Sequence, residues 1–225
     1  MQVDQGTNRL TTLMSTNSSM ETILSENPID LPTPGAARGD ERLARLISDI
    51  LCPPVTAPIG LFLFVSSIRE PLMWVWALIS VALSIGIPVA YVFWKVRSGE
   101  ISDFHIPIRT QRFRPMLLSI LCVLLSWAIL WICKAPALLI SLMGVSAAFA
   151  VLLLLITLRW KISGHSVAIA SLAILVIHVM GQNFLPALLA IPLVAWARVR
   201  IRRHTLAQTI AGAALGMLYI SLVIM

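Results

Sequence analysis

Histidine and arginine are the side chains of this chain best placed to do chemistry. Three of the four histidines, His105, His165 and His204, fall in polar stretches that separate long apolar runs, and most of the arginines fall in the same stretches. Arginine binds phosphate oxygens through a planar, bidentate fork and offsets the charge that develops in a transition state. A histidine can attack phosphorus, and a second one can protonate the leaving oxygen. Residues 197–208, ARVRIRRHTLAQ, concentrate these types: Arg198, Arg200, Arg202, Arg203 and His204 lie between two apolar runs. No Asp or Glu follows Asp103. Membrane enzymes that hold a divalent cation on a diphosphate need carboxylates to do so, so no metal site and no cofactor is expected in the second half. A proton-transport relay through carboxylates is equally unsupported.

The elements that must position these residues are read from hydropathy. The chain is 58% hydrophobic and only 12% charged, with a mean hydropathy of +0.90, against roughly 25% charged residues in a soluble domain. Uncharged apolar runs of about 20 residues recur, the length of a transmembrane helix. The runs are solid rather than alternating, which excludes a β-barrel. The expected fold is therefore all-α, a polytopic bundle of six to seven membrane helices. Residues 1–39 are polar and read as a disordered tail with no signal-peptide pattern. Residues 40–51 place Leu43, Leu46, Ile47 and Ile50 on one helical face and read as an amphipathic interfacial segment. Residues 52–225 form the helical domain, with spans near 52–66, 72–94, 116–133, 137–158 and 205–225. The stretch 166–197 is too long for one crossing, at about 48 Å against a core of about 30 Å. Gly181-Gln182-Asn183 and Pro186 divide it into two short helices, 166–180 and 184–197.

Alternating spans bring three polar loops, 95–115, 159–165 and 198–204, to one face. That face collects eleven Lys and Arg residues against two, Arg69 and Lys134, on the other. The positive-inside rule makes it cytoplasmic, together with the N-terminus, and the expected home is an inner (plasma) membrane. Tryptophans such as Trp94, Trp160 and Trp196 sit beside these loops as an aromatic belt. The net charge of +7 thus lies between spans, which points to anionic lipid or a phosphorylated substrate rather than nucleic acid. Cys52, Cys122 and Cys133 show no paired spacing and read as small apolar side chains.

The loops carry a resemblance. Ser163-Gly164-His165 resembles the Ser-Gly-His element of the type 2 phosphatidic acid phosphatase superfamily, which includes the vanadium haloperoxidases. That family's third motif is Ser-Arg, five residues, His, three residues, Asp. Here it reads Ala197-Arg198, five residues, His204, three residues, Gln208. The family's first motif, Lys, six residues, Arg-Pro, is matched at its end by Arg114-Pro115; Pro107 occupies the Lys position, and Arg109 is the nearest stand-in. The resemblance implies that His204 is the nucleophile, forming a phosphohistidine, and that His165 is the general acid. It implies that Gln208 orients His204 in place of an Asp. Arg109, Arg114, Arg198, Ser163 and the Gly164 N–H would bind the phosphate. The function so implied is a metal-independent integral membrane phosphatase acting on a lipid phosphate or diphosphate, with anionic bilayer lipids around it.

Plainer readings stand beside these. Arg200, Arg202 and Arg203 read as topology anchors, His105 as an exposed loop residue, and His178 as a neutral histidine bonded to backbone. Ala211, Gly212, Ala213, Ala214 and Gly216 read as close helix packing. Replacement of the closing Asp by Gln208 supports an alternative function, a non-catalytic relative that binds anionic lipid or scaffolds partners. A third reading is a small transporter or channel.

Overall fold

A computed structural model describes residues 39–68, 70–101, 106 and 110–225, and every regular element among them is helical. The polar tail before Gly39 lies outside the described residues, as do Arg69, Asp103, His105 and Arg109. Eight helices follow one another: α1 Gly39–Ile50, α2 Pro53–Ser66, α3 Pro71–Arg97, α4 Phe113–Ile132, α5 Ala137–Arg159, α6 Gly164–Met180, α7 Ala190–Arg200 and α8 Leu206–Ile224. A 3₁₀ stretch, Gln182–Leu189, leads directly into α7. The chain is an all-α polytopic bundle. Five of its helical segments are long and apolar enough to cross a bilayer: α3, α4, α5, Gln182–Arg200 and α8. The pair α1 and α2, bent by 45° at the break between them, passes the same test when taken together.

Local sequence explains the breaks. Pro53 and Pro54 occupy the first turn of α2, where a missing N–H costs nothing. Gly181, at φ 90°, ends α6 after 17 residues, so 166–197 is divided as its length requires, with the second piece opening as a 3₁₀ helix. Helix α3 runs 27 residues, about 40 Å, and contains a π turn at Ala82–Gly86. Helix α4 starts three residues earlier than hydropathy suggests, which places Arg114 in its first turn.

The amphipathic segment is helix α1, but its larger side chains do not pack on the protein. Leu43, Leu46 and Ile50 are 51–56% exposed, while Ala44 and Ser48 are buried. Small residues let α1 lie close to α7, and the leucine face is left for lipid. Asp40 and Glu41 bind the Arg200 guanidinium, with N–O distances of 2.7 and 3.1 Å.

Helices α6 and α8 cross most closely. A Cβ at Gly212 would come within 2.6 Å of the Ser163 carbonyl oxygen, and one at Gly216 would collide with the backbone of Val167. Two glycines four residues apart thus form the flat stripe that lets two backbones touch. The crossing brings the N-termini of α6 and α8 together, and the Ser163 N–H donates to the Gln208 carbonyl at 3.3 Å.

Candidate functional site

The site begins with how α7 ends. The Arg203 N–H donates to the Arg198 carbonyl at 3.0 Å and the Arg202 N–H to the Val199 carbonyl at 2.9 Å. Arg202 sits in the left-handed region at φ 54°. This is a Schellman motif with an arginine where glycine is usual. It turns the chain so that His204 points inward, 7% exposed, before α8 begins.

Thr205 caps α8. Its Oγ1 accepts the Gln208 N–H at 3.4 Å, and Gln208 Oε1 accepts the Thr205 N–H at 3.2 Å, a reciprocal capping box. The same Oε1 lies 3.1 Å from His204 Nδ1. A backbone N–H can only donate, so the Gln208 atom facing it is the oxygen. That oxygen can only accept, so the proton between the two side chains sits on His204 Nδ1. The lone pair of the neutral imidazole is then on Nε2.

The imidazole is neutral because its surroundings oppose a proton. Burial and the nearby Arg198 and Arg112 guanidiniums, with Lys161 adding to them and the Gln208 bond opposing, pull His204 from its usual 6.5 down to about 3. These cations come from all three loops. Arg112, in the 3₁₀ turn before α4, donates from Nε to the Ile106 carbonyl at 2.8 Å. Burial, then Arg203, lowers its pKa. Burial lowers that of Lys161 as well, followed by Arg112, Arg198 and Arg203. Arg198 is 1% exposed, and its Nη1 donates to Ser48 Oγ of α1 at 2.6 Å. Three cations therefore bear on one neutral histidine, and Arg203 bears on two of them, Arg112 and Lys161.

The Ser-Gly-His segment closes the third side. Ser163 is fully buried and is the N-cap of α6, accepting from the Ser166 N–H at 3.3 Å and the Ser166 hydroxyl at 3.0 Å. Its own N–H is engaged by Gln208, as above. Of the hydrogen-bonding groups expected from this segment for a phosphate, Ser163 thus has a structural task already. Gly164 is exposed, and a Cβ there would meet nothing within 4 Å. His165 is buried in the first turn of α6.

Against the expected set, His204, Gln208, Arg198 and Ser163 belong to one connected network, with Gly164 and His165 adjoining it. Arg114 does not join them. It is exposed on α4, and its charge bears on Glu100, which Lys95 already binds at 2.6 Å. The arginine beside His204 is Arg112, two residues earlier. Helix α4 starts early enough to place Arg114 on its outer face, and that is why the motif's end misses the cluster. Arg203, expected to be a topology anchor, belongs to the cluster, whereas Arg200 is tied to α1 and Arg202 is exposed at the turn. Arg109 and His105 lie outside the described residues. His178 is exposed near the end of α6. Lys161 and Ser48 were signalled only by position, Lys161 two residues before the Ser-Gly-His element and Ser48 on the polar side of α1. Among the described residues no group of three or more His, Cys, Asp or Glu could hold a metal ion.

The arrangement can receive a tetrahedral oxyanion. Four cations offset its charge, and a lone pair on His204 Nε2 is available to phosphorus. No family model, curated protein or solved structure matches the chain, so the likeness to the phosphatidic acid phosphatase superfamily rests on the three loop motifs alone.

Proposed function

We propose that this chain is an integral membrane phosphatase that hydrolyses a lipid phosphate or diphosphate without a metal, through a phosphohistidine on His204. The observation that supports it best is the neutral His204, with its proton fixed on Nδ1 by Gln208, among Arg112, Lys161, Arg198 and Arg203. Nε2 attacks phosphorus, and the bond from phosphorus to the lipid oxygen breaks. His165 gives that oxygen its proton. Water then attacks the phosphohistidine, His165 takes the proton back, and inorganic phosphate leaves. The arginines and Lys161 hold the equatorial oxygens throughout.

An amphiphilic substrate fits the location. Exposed Phe113, Trp160, Trp196 and Leu206 flank the loops, as side chains do at headgroup depth. The positive-inside count supports the cytoplasmic side for this face, and a plasma (inner) membrane is its proposed home. Gln208 favours a second reading, a silent relative that binds anionic lipid. An amide orients the imidazole but supplies no charge to stabilise the cationic phosphohistidine.

The test is phosphate release by detergent-purified protein from phosphatidate, lysophosphatidate and a polyprenyl phosphate, with EDTA present. Release that is lost in His204→Ala and in His165→Ala is the expected result. An inert protein that still binds lysophosphatidate, and loses that binding in Arg198→Ala, establishes the silent relative instead. A protein that neither cleaves nor binds any of the three overturns both readings.

A further inference from the structure

Below the cation cluster the bundle forms a half-open apolar cavity of about 370 Å³. Its upper end is lined by Pro53, Leu153 and Gly164 and its lower end by Phe64, Leu175 and Val223. Gly164 and Leu175 are eleven residues apart on α6, and Pro53 and Phe64 are the same distance apart on α2. Each pair gives a length of about 16 Å. The upper end adjoins the site through its backbone neighbours. Gly164 follows Ser163, which bonds Gln208, and Pro53 lies five residues beyond Ser48, which bonds Arg198.

The wall is hydrocarbon in effect as well as in composition. No Asp, Glu, Lys, Arg or His lines the cavity. Its hydroxyls are engaged within the wall. Thr56 donates to the Cys52 carbonyl at 3.1 Å, Ser84 to the Ser80 carbonyl at 2.5 Å, and Ser171 to the Val167 and Gly216 carbonyls at 3.0 and 2.9 Å. Ser146 and Tyr219 bond each other at 2.7 Å. A polar solute or an ion would find few partners along 16 Å of this wall, and its desolvation would go uncompensated. An alkyl chain loses nothing there. The volume holds about a dozen water-sized groups, at about 30 Å³ each.

We infer that the cavity is the seat of one hydrocarbon chain of the lipid phosphate whose headgroup binds at His204, so that the substrate is drawn into the bundle by its tail. The inference rests on the phosphate reading of the cation cluster. The cluster requires the anion at the upper end, and the wall requires hydrocarbon below it. The cavity has room for one chain of about a dozen carbons. A two-chain lipid would keep its second chain in the bilayer, and carbons beyond about the twelfth would extend past the cavity.

The test is binding of inorganic phosphate and of n-alkyl phosphates from butyl to decyl, by competition in detergent. The protein should bind decyl phosphate at least tenfold more tightly than butyl phosphate. Free transfer from water sets an upper limit of about fourfold per methylene. Ala168 lines the cavity one turn below Gly164 on α6, and Gly60 lines it on α2, where an added Cβ meets only the Leu172 and Leu175 side chains at 3.8 and 3.7 Å. Ala168→Phe should flatten the chain series and leave inorganic phosphate affinity unchanged. Gly60→Leu, entering from the opposite wall, should do the same and covers the case in which the larger substitution fails to fold. Partition into the micelle is common to all variants and cannot produce the difference. If both fillings leave the series parallel to that of the natural protein, the chain stays in the bilayer and the inference is wrong while the phosphate reading stands. If the natural protein binds neither inorganic phosphate nor any alkyl phosphate, the phosphate reading fails and this inference falls with it.

Discussion

Two reversals of the chain, at Lys134 and at Arg202, use the same backbone device and lead to different ends. After α4 the Ala135 N–H donates to the Leu130 carbonyl at 2.9 Å and the Lys134 N–H to the Trp131 carbonyl at 3.2 Å, with Lys134 at φ 53°. After α7 the corresponding bonds close around Arg202 at φ 54°. Both are Schellman turns with a cation in the left-handed position, where it also faces the negative end of the helix dipole. Past Lys134 the chain enters α5 with no side-chain cap. Past Arg202 it runs through Arg203, His204 and Thr205 into a capping box that also holds the imidazole. The turn itself is therefore neutral toward chemistry. What makes one end a site is that the next helix starts with a polar network fastened to a third helix, through Ser163 and Gln208.

Breaking that fastening should have the largest effect. Gly212→Val puts a branched side chain where even a Cβ would lie 2.6 Å from the Ser163 carbonyl. Overpacking of this kind costs about 1–3 kcal/mol, and separation of α6 from α8 should remove lipid-phosphate binding altogether. Lys134→Ala at the other reversal is exposed and should change stability by less than about 1 kcal/mol and binding not at all. Thermal unfolding in detergent with a lysophosphatidate titration measures both. Equal losses in the two variants would show that the site end has no special dependence on the crossing.

The next effect is electrostatic. Gln208→Glu keeps the reach needed for the capping box and adds a negative charge beside Nδ1. An opposite charge at that distance raises a histidine pKa by about 1–3 units, so His204 should titrate above about 3, as read by NMR of the imidazole. If the protein is an enzyme, turnover should rise by about tenfold for each unit of cation stabilisation gained. The natural protein has the opposite liability. Unfolded His204 titrates near 6.5 and folded His204 near 3, so between those values the unfolded chain holds the extra proton. This group's contribution is complete above about pH 6.5 and is lost as the pH falls toward 3. The melting temperature should drop across that window, less so in His204→Gln. An unchanged acid profile in that variant would mean that His204 is protonated in the folded state.

The two reversals also show what could be read in advance. Long uncharged runs declare a membrane helix because nothing else satisfies the backbone in lipid, and Thr205 and Gln208 carry the signature of a helix start in their types and spacing. The division near Gly181 and the small-residue packing at Gly212 and Gly216 were legible in the same way. Which cation faces inward was not. Arg112 and Arg114 differ in role because α4 begins at Phe113 and its first turn points Arg114 away. Arg203 differs from Arg202 because one residue of left-handed backbone reverses the direction of the side chains that follow. Ser48 reaches Arg198 across 150 residues of sequence, a contact that no local pattern encodes. Loop cations look alike to a hydropathy count, and only the packing of helix ends sorts them into anchors and ligands.

Smaller again is the effect of Ser48. Its hydroxyl is a positioning group for Arg198, and α1 carries it with a leucine face turned outward. Ser48→Ala leaves the chain apolar and compact at that point and removes one hydrogen bond to a charged group, worth about 1.5–3 kcal/mol at most and less where the guanidinium finds another partner. The expected outcome is a fivefold to tenfold loss of phosphate affinity and a melting temperature lowered by a few degrees. Ser48→Thr, which keeps the hydroxyl, should recover most of the affinity. A Ser48→Ala protein with full affinity would make α1 a membrane anchor and nothing more.

The smallest effect returns to the turns themselves. A left-handed conformation costs an L-residue roughly 1–2 kcal/mol, and the same motif at the end of α3 uses Gly99 at φ 77°. Glycine at position 134 or 202 removes that cost. Each change also gives up a cation at a helix C-terminus, worth about 0.3–1 kcal/mol, and adds unfolded-state entropy of about 0.4–1 kcal/mol. The terms nearly cancel, so Lys134→Gly and Arg202→Gly should each shift stability by less than about 1 kcal/mol. Their value lies in the binding comparison. Lys134→Gly should leave phosphate affinity untouched. Arg202 is exposed at the edge of the cluster, where salt screens its charge, so Arg202→Gly should weaken phosphate binding by no more than about twofold at physiological salt. A tenfold loss would place the Arg202 side chain in the pocket with Arg198 and Arg203, and the turn would then be a source of ligands as well as the hinge that positions them.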